Sequence, residues 1–272
     1  YLKGRTPNPC VRCNSFVKWD AFIDQANQLG AHYIATGHYA NIQKNNNSFY
    51  LTKGVDTRKD QSYVLWGIPL NTLSRTLLPL GKYTKKEVRE IARQNKLETA
   101  DMPESMEICF VADNNYKRFL HDYIPDKIDA IGSGEIINKS GETIGKHGGF
   151  TNFTIGQRKG LGISHPDPLY VTKIDPTKNQ IIADKKQALF NNICTMSQTN
   201  WLVSDIDFDS TLKAQIRYNS PVVSAKITKS EHNYKIRFDS PQMAITPGQS
   251  IVFYQDDVLL GGGIIEEGKI NE

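Results

Sequence analysis

Behind Asn14-Ser15, apolar residues recur at Phe16, Trp19, Phe22, Ile23, Ala26 and Leu29, and Gly30 supplies a stop. That spacing predicts a helix over 15–29. The run His32-Tyr33-Ile34-Ala35-Thr36-Gly37-His38 is short, apolar and ends in glycine, as expected of a buried parallel strand whose C-terminal end opens into a loop. Thr84-Lys85-Lys86-Glu87 is a capping box, followed by Val88, Ile91 and Ala92 on one face of a second helix. Helix, strand and helix together read as the remainder of a doubly wound α/β domain. The texture changes after about residue 113. A helical stretch from Tyr116 to Tyr123 leads into a hairpin, Glu135-Ile136-Ile137 and Glu142-Thr143-Ile144 around the turn Asn138-Lys139-Ser140-Gly141. From Leu169 onward short β-patterned runs dominate (170–174, 180–183, 213–217, 224–228, 234–238, 250–254 and 259–265), spaced as in a small barrel or sandwich.

The length, 272 residues, accommodates two or three domains, and 39% hydrophobic content is enough for a folded chain. No run of about 18 apolar residues occurs, which removes a membrane-spanning helix. The N-terminus, Tyr1-Leu2-Lys3-Gly4-Arg5, has neither an initiator Met nor a signal-peptide stretch. The net charge of +4 is all local: residues 1–60 hold eight Lys/Arg against four Asp/Glu, and the remainder holds 25 of each sign. A basic surface facing a polyanion is one explanation and a solvated face the other. Cysteines at 10, 13, 109 and 194 are too few and too unevenly spaced for a disulfide scaffold, so a reducing cytoplasm is the expected compartment.

Cys10-Val11-Arg12-Cys13 is a C-x-x-C within a Gly/Pro/Asn loop directly ahead of the first helix. A thiol near a helix start and beside an arginine has its thiolate stabilised, as a nucleophile or metal ligand requires. Half of a zinc site is the alternative, although no second pair at matching spacing occurs. Cys109 sits where a polar loop turns apolar, and by itself would be a small buried hydrophobe; Cys194 has only that reading. Lys59-Asp60-Gln61-Ser62-Tyr63 can grip phosphates and stack a base, or be an exposed turn. Gly156-Gln157-Arg158-Lys159-Gly160-Leu161-Gly162 is glycine-rich and basic; its backbone N–H groups can approach an anion, yet it is not a P-loop.

Gly4 through Asn14, Ala35-Thr36-Gly37-His38-Tyr39, Lys59 through Tyr63, Glu104-Ser105 with Ile108-Cys109-Phe110, and Thr154 through Gly162 occur in the order seen in the tRNA-specific 2-thiouridylases. Arg217-Tyr218 and Pro247-Gly248-Gln249 extend the resemblance, which covers nearly the whole chain. It implies an α/β plus β architecture: a partial doubly wound nucleotide-binding domain over 1–113, a small central α+β tRNA-binding linker domain over 114–168 and a C-terminal β-barrel over 169–272. The implied reaction is ATP-dependent 2-thiolation of the wobble uridine of tRNA, through adenylation of uridine O2 and sulfur transfer from a cysteine persulfide. Cys109 matches the persulfide carrier and Cys13 the second catalytic cysteine, which either attacks the persulfide to form a transient Cys13–Cys109 disulfide or helps release sulfide. Asn8, Pro9 and Cys10 take a base-contacting role, Gly37 lies near ATP, and His38, Lys59, Asp60, Gln61, Arg217, Tyr218 and Gln249 match tRNA-contacting positions. Implied partners are a tRNA anticodon stem-loop and a cysteine desulfurase or sulfur-relay protein; ATP and Mg²⁺ are the implied cofactors.

The family's Ser-Gly-Gly-x-Asp-Ser phosphate loop is not found in these 272 residues, so the expectation is that they form the body of a longer enzyme. Two alternatives stand beside this reading. Cys10, Cys13 and Cys109 could hold an iron–sulfur cluster with one open iron, or the chain could be a zinc-stabilised RNA-binding module without catalysis.

Overall fold

The computed structural model describes residues 1–102, 108–111, 113–230 and 233–269. Asn8 opens the first helix, its side-chain oxygen accepting from the Val11 amide at 3.4 Å, and Pro9 occupies the first turn of α1 (Pro9–Arg12). The chain then continues as a π-helix (Cys13–Ala21) and α2 (Phe22–Gln28). A helix stands where the apolar spacing predicts one, but its period differs. Trp19, Ile23 and Ala26 are buried, whereas Phe16, Phe22 and Leu29 are 54%, 45% and 76% exposed. The i→i+5 bonding of a π-helix widens each turn, so residues five apart return to one side. Asn14 and Trp19 accordingly both face the core.

β1 (Ile34–Ala35) and β2 (Ala40–Asn45) flank the loop carrying Gly37 and His38, and β2 forms a hairpin with β3 (Ser48–Lys53). β4 (Thr76–Leu77) runs parallel to β1, with Ile34 opposite Thr76. The parallel layer is thus two short strands among the described residues. α3 (Lys85–Gln94) carries the expected capping box, and Asp56 adds to it by accepting the Lys85 amide at 3.0 Å. The Lys85 amide first, and then that of Arg58, hold the Asp56 carboxylate below its ordinary pKa.

The central region begins with α4 (Tyr116–Tyr123) and α5 (Pro125–Asp129). Its four-stranded sheet orders β6 (Thr143–His147), β5 (Gly134–Ile137), β8 (Gln180–Asp184) and β7 (Tyr170–Asp175). Residues 170–184, grouped by their pattern with the C-terminal barrel, therefore pair into the central sheet, where β5 and β8 run parallel with Ile136 opposite Ile181. The cause is a separate core: Ile136, Val171, Ile181 and Ala183 bury together with Phe150 and Phe153.

Six strands close the barrel: β9 (Phe190–Trp201), β10 (Leu212–Gln215), β11 (Val223–Lys229), β12 (Tyr234–Met243), β13 (Ser250–Gln255) and β14 (Val258–Lys269). Their ring order is β13-β10-β11-β12-β9-β14, with β13 pairing back to β14. The β2–β3 hairpin adds to the outside of the ring where Thr52 meets Val258. Residues 250–254 of β13 are all buried because the strand serves two cores. Ile251 and Phe253 point into the barrel, while Val252 and Tyr254 join Trp19, Tyr63, Leu65 and Trp66 of the first domain. No helix among the described residues is long and apolar enough to cross a membrane.

Candidate active site

The loop ahead of α1 is the meeting point of all three regions. Arg5 donates to the Glu266 carboxylate at 2.5 Å and to the Ile265 carbonyl at 3.0 Å. The Thr6 amide donates to the Pro247 carbonyl at 3.0 Å, and the Thr6 hydroxyl meets that of Thr154 in the central domain at 3.2 Å. Gln249 donates its side-chain amide to the Thr6 carbonyl at 3.0 Å and to that of Pro7 at 3.4 Å. Gly248 has φ +92°, and a Cβ there would lie 2.9 Å from the Thr6 carbonyl oxygen, so glycine is needed for the loop to approach. Asn8, Pro9 and Cys10 follow directly on this anchored segment.

Cys10 and Cys109 are exposed, Cys13 is half-buried, and all four cysteines are free thiols. Burial, and then the nearby Cys109 and Cys13, push the Cys10 thiol above its ordinary pKa, while Lys18 acts in the opposite direction. Cys10 thus lies within electrostatic reach of two other thiols and one ammonium. Cys10 is held as the neutral thiol, which suits a hydrogen-bond donor better than a nucleophile. Cys194 is buried in the barrel core, away from this group. Glu104 and Ser105, part of the Cys109 motif, lie outside the described residues.

Lys18 was not singled out by sequence. In an α-helix it would stand about 140° around the axis from Cys13; in the π-helix a five-residue step returns it to nearly the same side. Its Nζ lies 3.5 Å from Nε2 of His38, whose Nδ1 lies 2.9 Å from the Thr36 hydroxyl. An ammonium can only donate, so Nε2 accepts and Nδ1–H donates to Thr36. His38 is 7% exposed and packs against Trp19, with ring centroids 5.6 Å apart. Burial first, and then Lys18, lower its pKa to about 4, so it stays neutral at physiological pH.

Other residues matched to RNA contact have partners inside the protein. Asp60 accepts from the Gly54 amide at 2.9 Å and from the Ser62 hydroxyl at 2.7 Å. Gln61 accepts the Tyr39 amide at 2.9 Å, and its own amide donates to the Tyr39 carbonyl at 2.8 Å, pinning the residue that follows His38. Lys59 is half-buried beside this turn. Arg217 donates to the carbonyls of Ala244 and Met243 and to the Thr246 hydroxyl. Tyr218 is 39% exposed and meets the Tyr63 ring edge-on at 6.1 Å. Gly37 is exposed just beyond β1, where a Cβ would meet only Leu80 at 3.6 Å; the backbone is open to a ligand at the C-terminal end of a parallel strand, which suits a nucleotide. Among the described residues no three His, Cys, Asp or Glu side chains converge as a set for Mg²⁺ or an iron–sulfur cluster.

An α/β domain with a thiol-bearing loop, tied to a central β domain and a closed barrel, defines a three-domain protein of the HUP class. The family model described as "tRNA methyl transferase HUP domain" matches residues 1–113, its PRC-barrel counterpart 117–184, and "Aminomethyltransferase beta-barrel domain" 191–265. The tRNA-specific 2-thiouridylase MnmA of Chlorobium phaeobacteroides is 45% identical over 269 residues, covering 98% of this chain and 75% of that protein. Its counterparts from Carboxydothermus hydrogenoformans (45%, covering 98% and 73%) and Salinibacter ruber (42%, covering 100% and 73%) are similar. The chain thus spans about three quarters of the length of these relatives. It belongs to the tRNA-specific 2-thiouridylase family.

Proposed function

We propose that this protein replaces the 2-oxygen of the wobble uridine of tRNA with sulfur, using Cys109 as persulfide carrier and Cys13 as nucleophile. The observation that supports the reading is that Cys10 and Cys13 directly follow the loop where the three domains meet, with the exposed Cys109 within electrostatic reach of Cys10. ATP supplies the activation: uridine O2 takes its AMP moiety as the α–β anhydride bond breaks and pyrophosphate leaves, which makes that oxygen a leaving group, with Gly37 near the nucleotide. Cys13 thiolate attacks the Cys109 sulfur: a Cys13–Cys109 bond forms, the bond to the outer sulfur breaks, and hydrosulfide leaves. Hydrosulfide adds at C2, and AMP departs carrying the former O2. Two external thiols, themselves oxidised to a disulfide, then restore the dithiol. A persulfide donor protein recharges Cys109, and the exposure of that cysteine supports such a delivery.

Asn8, Pro9 and the neutral Cys10 thiol contact the splayed base. Gln249, Gln61 and Arg217 serve this site by fixing the loops that carry it, beside the RNA contact their positions imply. Lys18, held by neutral His38, places one positive charge near the Cys10 thiol. The descriptions of the matching family models speak of methyl transfer, which gives Cys13 and the exposed Cys109 no task; sulfur transfer uses them.

The test is nucleoside analysis of tRNA from cells lacking their own 2-thiouridine synthesis, supplied with the complete reading frame. Wild type is expected to restore 2-thiouridine, and Cys13→Ser and Cys109→Ser each to abolish it while tRNA binding persists. Thiolated tRNA from either variant at the wild-type level would sink the assignment.

A further inference from the structure

The glycine-rich basic loop has no part in the sulfur chemistry. Gly160 and Gly162 have φ of +80° and +66°. A Cβ at Gly162 would meet nothing within 4 Å, and one at Gly160 only the Gln157 amide at 3.7 Å. Packing does not require these glycines; the backbone turn does. Gln157 staples the base of the loop, accepting the Thr154 amide at 3.1 Å and donating to the Lys159 carbonyl at 2.9 Å. Leu161 anchors it in the central core. Beyond the staple, the backbone N–H groups of residues 158–163 have no partner among the described residues, and neither do the exposed side chains of Arg158 and Lys159. Successive free N–H groups in a turn with alternating φ form an anion-binding nest.

Arg158, Gly160 and Gly162 line an open cavity of about 250 Å³. One carboxylate, Asp167, is in its wall, but Lys185 neutralises it at 2.6 Å. No Phe, Tyr or Trp lines the cavity, and its one imidazole, His165, is tied back by accepting the Asp167 amide at 3.1 Å. At the foot of the loop, Thr154 meets Thr6 of the segment that leads to Cys10, hydroxyl to hydroxyl at 3.2 Å.

We propose that residues 158–163 form a phosphate nest that holds a backbone phosphodiester of the substrate RNA and sets the register of the target base against Cys10 and Cys13. This rests on the reading of the protein as an RNA-modifying enzyme. Arg158 and the N–H groups grip the phosphate oxygens, Lys159 adds charge, and the glycines let the strand approach the backbone closely.

The experiment is fluorescence anisotropy with a labelled anticodon stem-loop RNA across a salt series. The double variant Arg158→Ala/Lys159→Ala is expected to bind roughly tenfold more weakly near physiological salt, with a log–log salt slope smaller by about 1 to 2. Exchanging the two cations, Arg158→Lys with Lys159→Arg, is expected to retain binding. Both side chains are exposed and without partners, so these variants should fold, and a far-UV spectrum checks it. Unchanged affinity and slope in the double variant, with wild type binding normally, would overturn the nest alone. Loss of ATP binding with RNA binding intact would make it a nucleotide site and likewise overturn it. Failure of wild type to bind the RNA at all would overturn the RNA-modification reading and the nest together.

Discussion

His38 shows how a residue matched to RNA contact works through its neighbours. Its ring is buried against Trp19, and both nitrogens are engaged, one by Lys18 and one by Thr36. Because the folded state resists protonation of His38 until about pH 4, while the unfolded chain takes the proton near 6.5, the unfolded state binds more protons between those values. Stability therefore falls as pH drops through that window, by up to about 3 kcal/mol from this group, and above 6.5 the group contributes no pH dependence. Protonation would also repel the Lys18 ammonium from Nε2. Urea melts at pH 7 and 4.5, for wild type and His38→Gln, test this. The variant is expected to be the less stable protein at pH 7 and to close most of the gap at 4.5; parallel losses in both proteins would remove His38 as the titrating group. The cysteines, Gly37 and His38 were visible in the sequence because motif order marks them. Lys18 was not, because an α-helical reading turns it away from Cys13.

At the scale of elements, local signals were legible where bonding is local. The Thr84 capping box and the hairpin turn at 138–141 form as their residues dictate. The π-helix was not legible, since no residue type demands an i→i+5 bond and the apolar spacing at 16, 19, 22, 23, 26 and 29 fits an α-helix well. Nor was the membership of 170–184, which depends on a parallel pairing with a strand more than 40 positions away. A substitution pair separates the two helix readings. Phe22 and Ile23 are adjacent, yet Phe22 is 45% exposed and Ile23 8%. Phe22→Ser is expected to change stability by no more than about 0.5 kcal/mol, and Ile23→Ala to cost about 2–5 kcal/mol. Denaturant midpoints decide it; a costly Phe22→Ser would restore the regular helix with Phe22 in the core.

At the scale of the whole molecule, the site exists only where domains meet, since the loop at 4–9 is held by Thr154 from one side and by Pro247, Gln249 and Glu266 from the other. Under the proposed function, keeping the cysteine-bearing segment in register with RNA requires the first domain and the barrel to move as one body. Their interface has the character of a core: Val252, Tyr254, Leu259 and Leu202 are buried with Trp19, Leu65 and Trp66. Tyr63 donates to the Ser250 carbonyl at 2.8 Å and Trp66 to the Ser250 hydroxyl at 2.9 Å. The central domain has its own core. The three tryptophans report on the shared body alone, Trp19 and Trp66 from the first domain and Trp201 from the barrel. Proteins retaining only Trp66 or only Trp201, the others replaced by Phe, are each expected to show the remaining tryptophan losing structure in the same transition as the far-UV signal of that sample. Tyr63→Ala, which removes a fully buried ring from the shared core, is expected to lower that transition by about 10 °C in both reporters. A shift seen by Trp66 with none at Trp201 would mean that the two units unfold independently, and that the site is held together by RNA rather than by the protein.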